Sequence, residues 1–163
     1  ASGAALGDEK ALRARAAAAL AVLKGAGAKA PVDTSRIGAI GFCFGGAVAL
    51  DLARSGADLR GTATFHGNLA TSMPAKKGEL KSPLLVMNGG DDKFISHELI
   101  DKFQDEMRAS GADWQFVNFG GAVHCFAEPD EHNTVPGCNF NPAAYRRSMV
   151  MTHAFFNEAF AKK

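Results

Sequence analysis

The sequence predicts an α/β fold built on a parallel sheet, and three observations carry that expectation. Helical and extended segments alternate along nearly the whole chain. The extended segments are short, continuous apolar runs, the pattern of strands buried on both faces. One of them passes into an alanine-rich helix at Gly41-Phe42-Cys43-Phe44-Gly45-Gly46, a turn tight enough to call for glycine. With 163 residues, one domain over residues 1–163 is expected. A chain of that size buries roughly two-thirds of its unfolded surface.

The elements follow in order. Residues 8–24 read as a helix, because Leu12, Ala16, Ala19, Leu20 and Leu23 share one face. Gly25 and Gly27 are expected to end it. Residues 31–35 form a turn, 36–42 a strand and 44–54 a helix. Residues 61–65 form the second strand, followed by a loop to about residue 80. Residues 83–87 are the third strand. Ser96 caps a helix over 97–110, which Gly111 stops. Residues 114–119 are the fourth strand. A long loop over 120–141 holds Pro129, Pro136 and Gly137. Pro142 then opens a terminal helix with Phe155, Phe156 and Phe160 on one side.

Composition removes several function classes. The net charge is +1 and no basic block stands out, so no nucleic-acid partner is expected. No window reaches ~18 consecutive apolar residues, so no membrane span is expected. The early alanine run lies among Arg13, Arg15 and Lys24 and reads as a helix, not as a signal-peptide core. The three cysteines, Cys43, Cys125 and Cys138, are too few and too odd in number for a secreted disulfide scaffold. A reducing, cytoplasmic setting is therefore expected.

In parallel sheets, function gathers at the carboxyl ends of the strands. Cys43, His66, Asp92 and His124 all fall there. Gly41-Phe42-Cys43-Phe44-Gly45 fits the glycine-flanked nucleophile turn between strand and helix. Glycine is expected at both flanks, where a side chain would collide with strand or helix. A helix N-terminus favours a thiolate, and the Phe44 N–H points where an oxyanion would form. The plainer reading is a tight turn around an inert, buried cysteine. Asp92, after the third strand, suits the orientation of a histidine, or else is one of a solvated Asp pair. His124, after the fourth strand, suits a general base, or else is an ordinary loop histidine. The chain order Cys43, Asp92, His124 is nucleophile, acid, base.

The chain resembles the dienelactone hydrolase family of α/β-hydrolases. The resemblance rests on Asp33-Thr34-Ser35-Arg36-Ile37-Gly38, Gly41 to Gly46, Phe65-His66-Gly67, Gly89-Gly90-Asp91-Asp92 and Gly121-Ala122-Val123-His124-Cys125-Phe126. Ala144-Tyr145-Arg146-Arg147-Ser148, before the Phe-rich helix, fits as well. It implies a reduced α/β-hydrolase fold, with a mostly parallel sheet of about four strands and helices on both faces. It implies Cys43 as nucleophile, Asp92, not Asp91, as orienting acid, and His124 as base. The family's earlier strands, and the loop that usually supplies a second oxyanion donor, have no counterpart here. The strand over 36–42 is then expected at a sheet edge, which invites a homodimer or higher oligomer. Glu128 stands where dienelactone hydrolase itself carries a substrate-binding arginine, which favours small neutral esters over anionic lactones. Phe42, His66, Phe94 and Phe126 are candidates for the substrate pocket.

The expected activity is hydrolysis of small carboxylic esters or lactones through a thioacyl-enzyme, with no cofactor. The alternative is a non-catalytic remnant acting as an oligomerising or binding module. His124, Cys125, His132 and Cys138 fit no paired zinc-ligand spacing, so no metal is expected. His97 and His153 fall on helices with no chemical role. A glutamine amidotransferase reading fails because Cys125-Phe126 replaces the x-Glu that should follow the histidine.

Overall fold

The computed structural model describes residues 8–27 and 30–161. Helix α1 spans Glu9–Ala26, strand β1 Ala39–Phe42, helix α2 Phe44–Arg54 and strand β2 Thr62–Phe65. Strand β3 spans Leu84–Gly89, helix α3 His97–Ser110, strand β4 Trp114–Phe119 and helix α4 Pro142–Ala161. The four strands form one sheet in the order β1-β2-β3-β4, and every neighbouring pair is parallel. The expected α/β class and parallel sheet are what the chain adopts.

Alternation along β3 divides the core. Leu84 and Val86 face one side, where Leu50 and Ala53 of α2 meet Ile100, Phe103 and Met107 of α3. Leu85 and Met87 face the other, against Phe65, Phe119, Phe126 and Ala144 of α4. Sequential strand order with crossovers of one hand puts α2 and α3 on the same face. Helix α4 covers the opposite face.

Local chemistry sets the helix ends. Asp8 caps α1 by accepting from the Ala11 N–H, and Ser96 caps α3 by accepting from the Leu99 N–H. Gly111 ends α3 in the left-handed region, at φ 71°. The Asn141 carboxamide accepts from the N–H groups of Ala143 and Ala144 beside Pro142.

Several expectations change. Helix α1 runs through Gly25, and its apolar stripe is only partly covered: Ala16 and Leu20 pack towards Ile37 and Leu52, but Leu23 is exposed. Strand β1 begins at Ala39, because Ile37 turns into a cluster with Leu52 and Leu59. Strand β3 continues to Gly89, where the Asn88 amide donates to Asn118 Oδ1 on β4. Cys125 and Cys138 pair as a disulfide, and bridges from His124 to Cys138 and from His132 to Asn139 close the same loop. That pair removes the ground on which a reducing setting was expected. Among the described residues, no helix is long and apolar enough to cross a membrane.

Candidate active site

Cys43 sits where β1 turns into α2. Its N–H extends the ladder by donating to the Phe65 carbonyl at 3.0 Å. Its backbone then takes φ 49°, ψ −119°, outside the regions favoured by side-chain-bearing residues. Gly41 is required, since a Cβ there would fall on the Gly45 carbonyl. Gly45 is not required by space: a Cβ there meets nothing within 4 Å. The second close approach belongs instead to Gly46 and Gly67, whose backbones pack together. The expectation that both flanking positions need glycine is corrected accordingly. The N–H groups of Gly46 and Ala47 donate to the Cys43 carbonyl. Helix geometry leaves the Phe44 N–H without an intrahelical acceptor.

Two loops bring Asp92 and His124 to this point. Gly89 and Gly90 let the turn after β3 lie against the turn after β4, since a Cβ on Gly89 would stand 2.6 Å from the Ala122 and Val123 carbonyls. Gly90 N–H donates to the Phe119 carbonyl and Asp91 N–H to the Ala122 carbonyl. Asp91 is exposed, whereas the Asp92 side chain has no exposed surface. Asp92 Oδ1 accepts from the Phe94 N–H at 2.8 Å, and Oδ2 lies 2.7 Å from His124 Nδ1. His124 Nε2 lies 3.4 Å from Cys43 Sγ. The pairing with a carboxylate assigns the proton to Nδ1, so that Nε2 faces the sulfur as acceptor.

His66 lies behind this group, at the end of β2, with φ 40° and no exposed surface. Its N–H donates to the Met87 carbonyl. Neither ring nitrogen has a hydrogen-bond partner, and Nε2 is 3.8 Å from Glu128 Oε1. Burial, with the neighbouring His124 adding to it, pushes its pKa down to about 3. The ring is therefore neutral near pH 7, and its approach to Glu128 is not an ion pair.

A cavity of about 360 Å³ opens over Cys43, walled by Phe44, His66, Phe94, Ile95 and Leu99. Of the pocket candidates, His66 and Phe94 line this cavity, with the Phe94 ring edge-on to His124 at 5.0 Å. Phe126 does not line it. That ring is fully buried against Phe119 and the edge of His66, because the residue packs under the sheet with α4. Phe42 stacks on Phe65 at 4.3 Å and lines a separate groove with Glu128, Asp130 and Glu131. Ile95 and Leu99 escaped the sequence reading. Their signal was the start of α3 directly after the Asp92 turn.

Comparison with known proteins agrees with this fold. Residues 4–160 match the model of the Dienelactone hydrolase family. An uncharacterized protein of Caenorhabditis elegans is 38% identical over 134 residues, which cover 80% of this chain and 84% of that protein. A candidate carboxymethylenebutenolidase of Methylorubrum extorquens is 32% identical, over 67% of this chain and 39% of that protein. The crystal structure of a dienelactone hydrolase-like promiscuous phosphotriesterase from metagenomic libraries superposes with a TM-score of 0.86 at 41% identity. The match covers 94% of this chain, which spans 64% of that structure. On the family match along nearly its whole length, this chain belongs to the dienelactone hydrolase family of α/β-hydrolases.

Proposed function

We propose that the chain hydrolyses small neutral carboxylic esters or lactones, with Cys43 as nucleophile, His124 as general base and Asp92 as its orienting acid. The observation that carries this reading is the unbroken line from Cys43 Sγ through the His124 ring to Asp92, at 3.4 Å and 2.7 Å. His124 Nε2 takes the thiol proton as sulfur attacks the ester carbonyl. The oxyanion forms against the Phe44 N–H. Asp92 stabilises the imidazolium. The proton passes to the leaving alkoxide, an alcohol departs, and a thioacyl-enzyme remains. His124 then deprotonates water, which attacks the thioester and returns the thiol and a carboxylic acid. No cofactor takes part. The acidic groove of Glu128, Asp130 and Glu131 beside the site supports neutral substrates over anionic ones.

Among the described residues β1 is an edge strand of the sheet, which supports self-association. Ile40 is 53% exposed there, beside an open apolar hollow between α1 and α2. A second reading, a non-catalytic oligomerising or binding module, is favoured by the exposed Ile40 and the apolar hollow beside it.

Hydrolysis of p-nitrophenyl acetate separates the two readings. Turnover by the wild-type chain is expected to vanish in Cys43→Ala, to fall steeply in His124→Ala and to fall less in Asp92→Asn. Equal rates for wild type and Cys43→Ala would sink the esterase reading and leave the module.

A further inference from the structure

We propose that Cys43, His66 and His124 form an inhibitory binding site for a thiophilic divalent cation of the zinc type. The Cys43 sulfur and one nitrogen of each imidazole lie within 4.8 Å of one another. A tetrahedral zinc ion, with Zn–S of about 2.3 Å and Zn–N of about 2.0–2.1 Å, wants its donors roughly 3.4–3.6 Å apart. Cys43 Sγ and His124 Nε2 already stand at 3.4 Å. Bringing His66 into line needs a shift of about 1 Å.

Two further observations point to a ligand. His66 is completely buried, and both its ring nitrogens lack a partner, a costly arrangement that coordination would relieve. His124 also carries the outer partner typical of a metal-binding histidine. Its Nδ1 is held by Asp92, whose other oxygen is tied to the Phe94 N–H, so Nε2 is aimed at the cavity. The cavity over Cys43 leaves the fourth position to water. Binding replaces the thiol proton by the cation, with no change of oxidation state, and the proton leaves to solvent. The thiolate and the His124 lone pair are then both engaged, so the nucleophile and its base are blocked together. No metal was expected from the sequence, where His124, Cys125, His132 and Cys138 fit no zinc spacing; Cys43, His66 and His124 come together only in the fold.

The probe is Co²⁺ alone, added to the full oxidised chain and followed by absorption. The expected result is one ion per chain with an intense thiolate-to-cobalt charge-transfer band, displaced by Zn²⁺. Prior alkylation of Cys43 with iodoacetamide should abolish the band in the wild-type fold, as should Cys43→Ser. His66→Asn, chosen because Asn tolerates positive φ, should weaken binding by about 10-fold or more. The Cys125→Ser/Cys138→Ser double variant should keep the band. A band that survives alkylation, or cobalt binding without any thiolate band, would overturn the site. Should the chain hydrolyse esters, Zn²⁺ should inhibit it and a chelator restore it. Should it not, the cobalt spectrum still decides the metal site, and only the esterase reading fails.

Discussion

Cys43 and its flanking glycines tie local conformation to placement of a side chain. The strained backbone at φ 49° lifts the sulfur out of the sheet towards His124, and Gly41 makes room for the turn. Gly41→Ala is therefore expected to cost a few kcal/mol in urea denaturation, because backbone has to move to admit the Cβ. Gly45→Ala should be neutral or stabilising by about 0.4–1 kcal/mol, since its Cβ points into open space. Equal losses in the two variants would contradict the asymmetry. The motif itself was legible as letters. Which glycine is sterically needed was not, because that depends on how closely α2 and the Gly67 backbone approach.

At the scale of elements, a buried cation joins the two helices on one face. Arg54, only 1% exposed, makes a two-pronged contact with Glu106 of α3 at 2.9 and 2.8 Å and also donates to the Leu69 carbonyl. Glu106 in turn accepts from the Ala75 N–H. Arg54→Ala is expected to lose about 3–5 kcal/mol, since Glu106 stays buried without its partner. Arg54→Met combined with Glu106→Leu should recover most of that loss by denaturant titration. Nothing in the sequence announced this pair. An arginine in the last turn of a helix is ordinary and usually solvated. The boundaries of α2, α3 and β4 were legible, because caps and periodicity are local. The start of β1 and the end of β3 were not, because Ile37 and Asn88 answer to distant partners.

Across the whole molecule, α1 is attached largely by polar contacts. Arg13 pairs with Asp51 at 3.0 Å, and Glu9 binds Thr71 and Ser72 of the loop after β2. Burial alone would raise the Glu9 pKa, but the hydrogen bonds from Ser72 and Thr71 outweigh it and bring it to about 2. A lowered folded pKa means stability that is present above the unfolded value, near 4.5, and lost as pH falls towards about 2. The melting temperature of Glu9→Gln should accordingly lie below wild type above pH 5, and the gap should close as pH approaches 2. A gap independent of pH would remove the charge from the explanation. Light scattering tests the proposed self-association through β1, the edge strand among the described residues. A dimer or larger species at micromolar concentration is expected, and a clean monomer would refute self-association.

The sequence by itself determined the alternation of helices and strands, the caps at Ser96, Gly111 and Pro142, and the order in which Cys43, Asp92 and His124 appear. These are local properties, set by side-chain period, backbone freedom and position along the chain. Only the tertiary structure decided that Phe126 packs in the core while Ile95 and Leu99 wall the cavity, and that Cys125 meets Cys138. It also decided that His66 is buried beside His124 with both ring nitrogens unpartnered. Those outcomes depend on which strand ends lie side by side and which loops cross, and no short stretch of sequence carries that information.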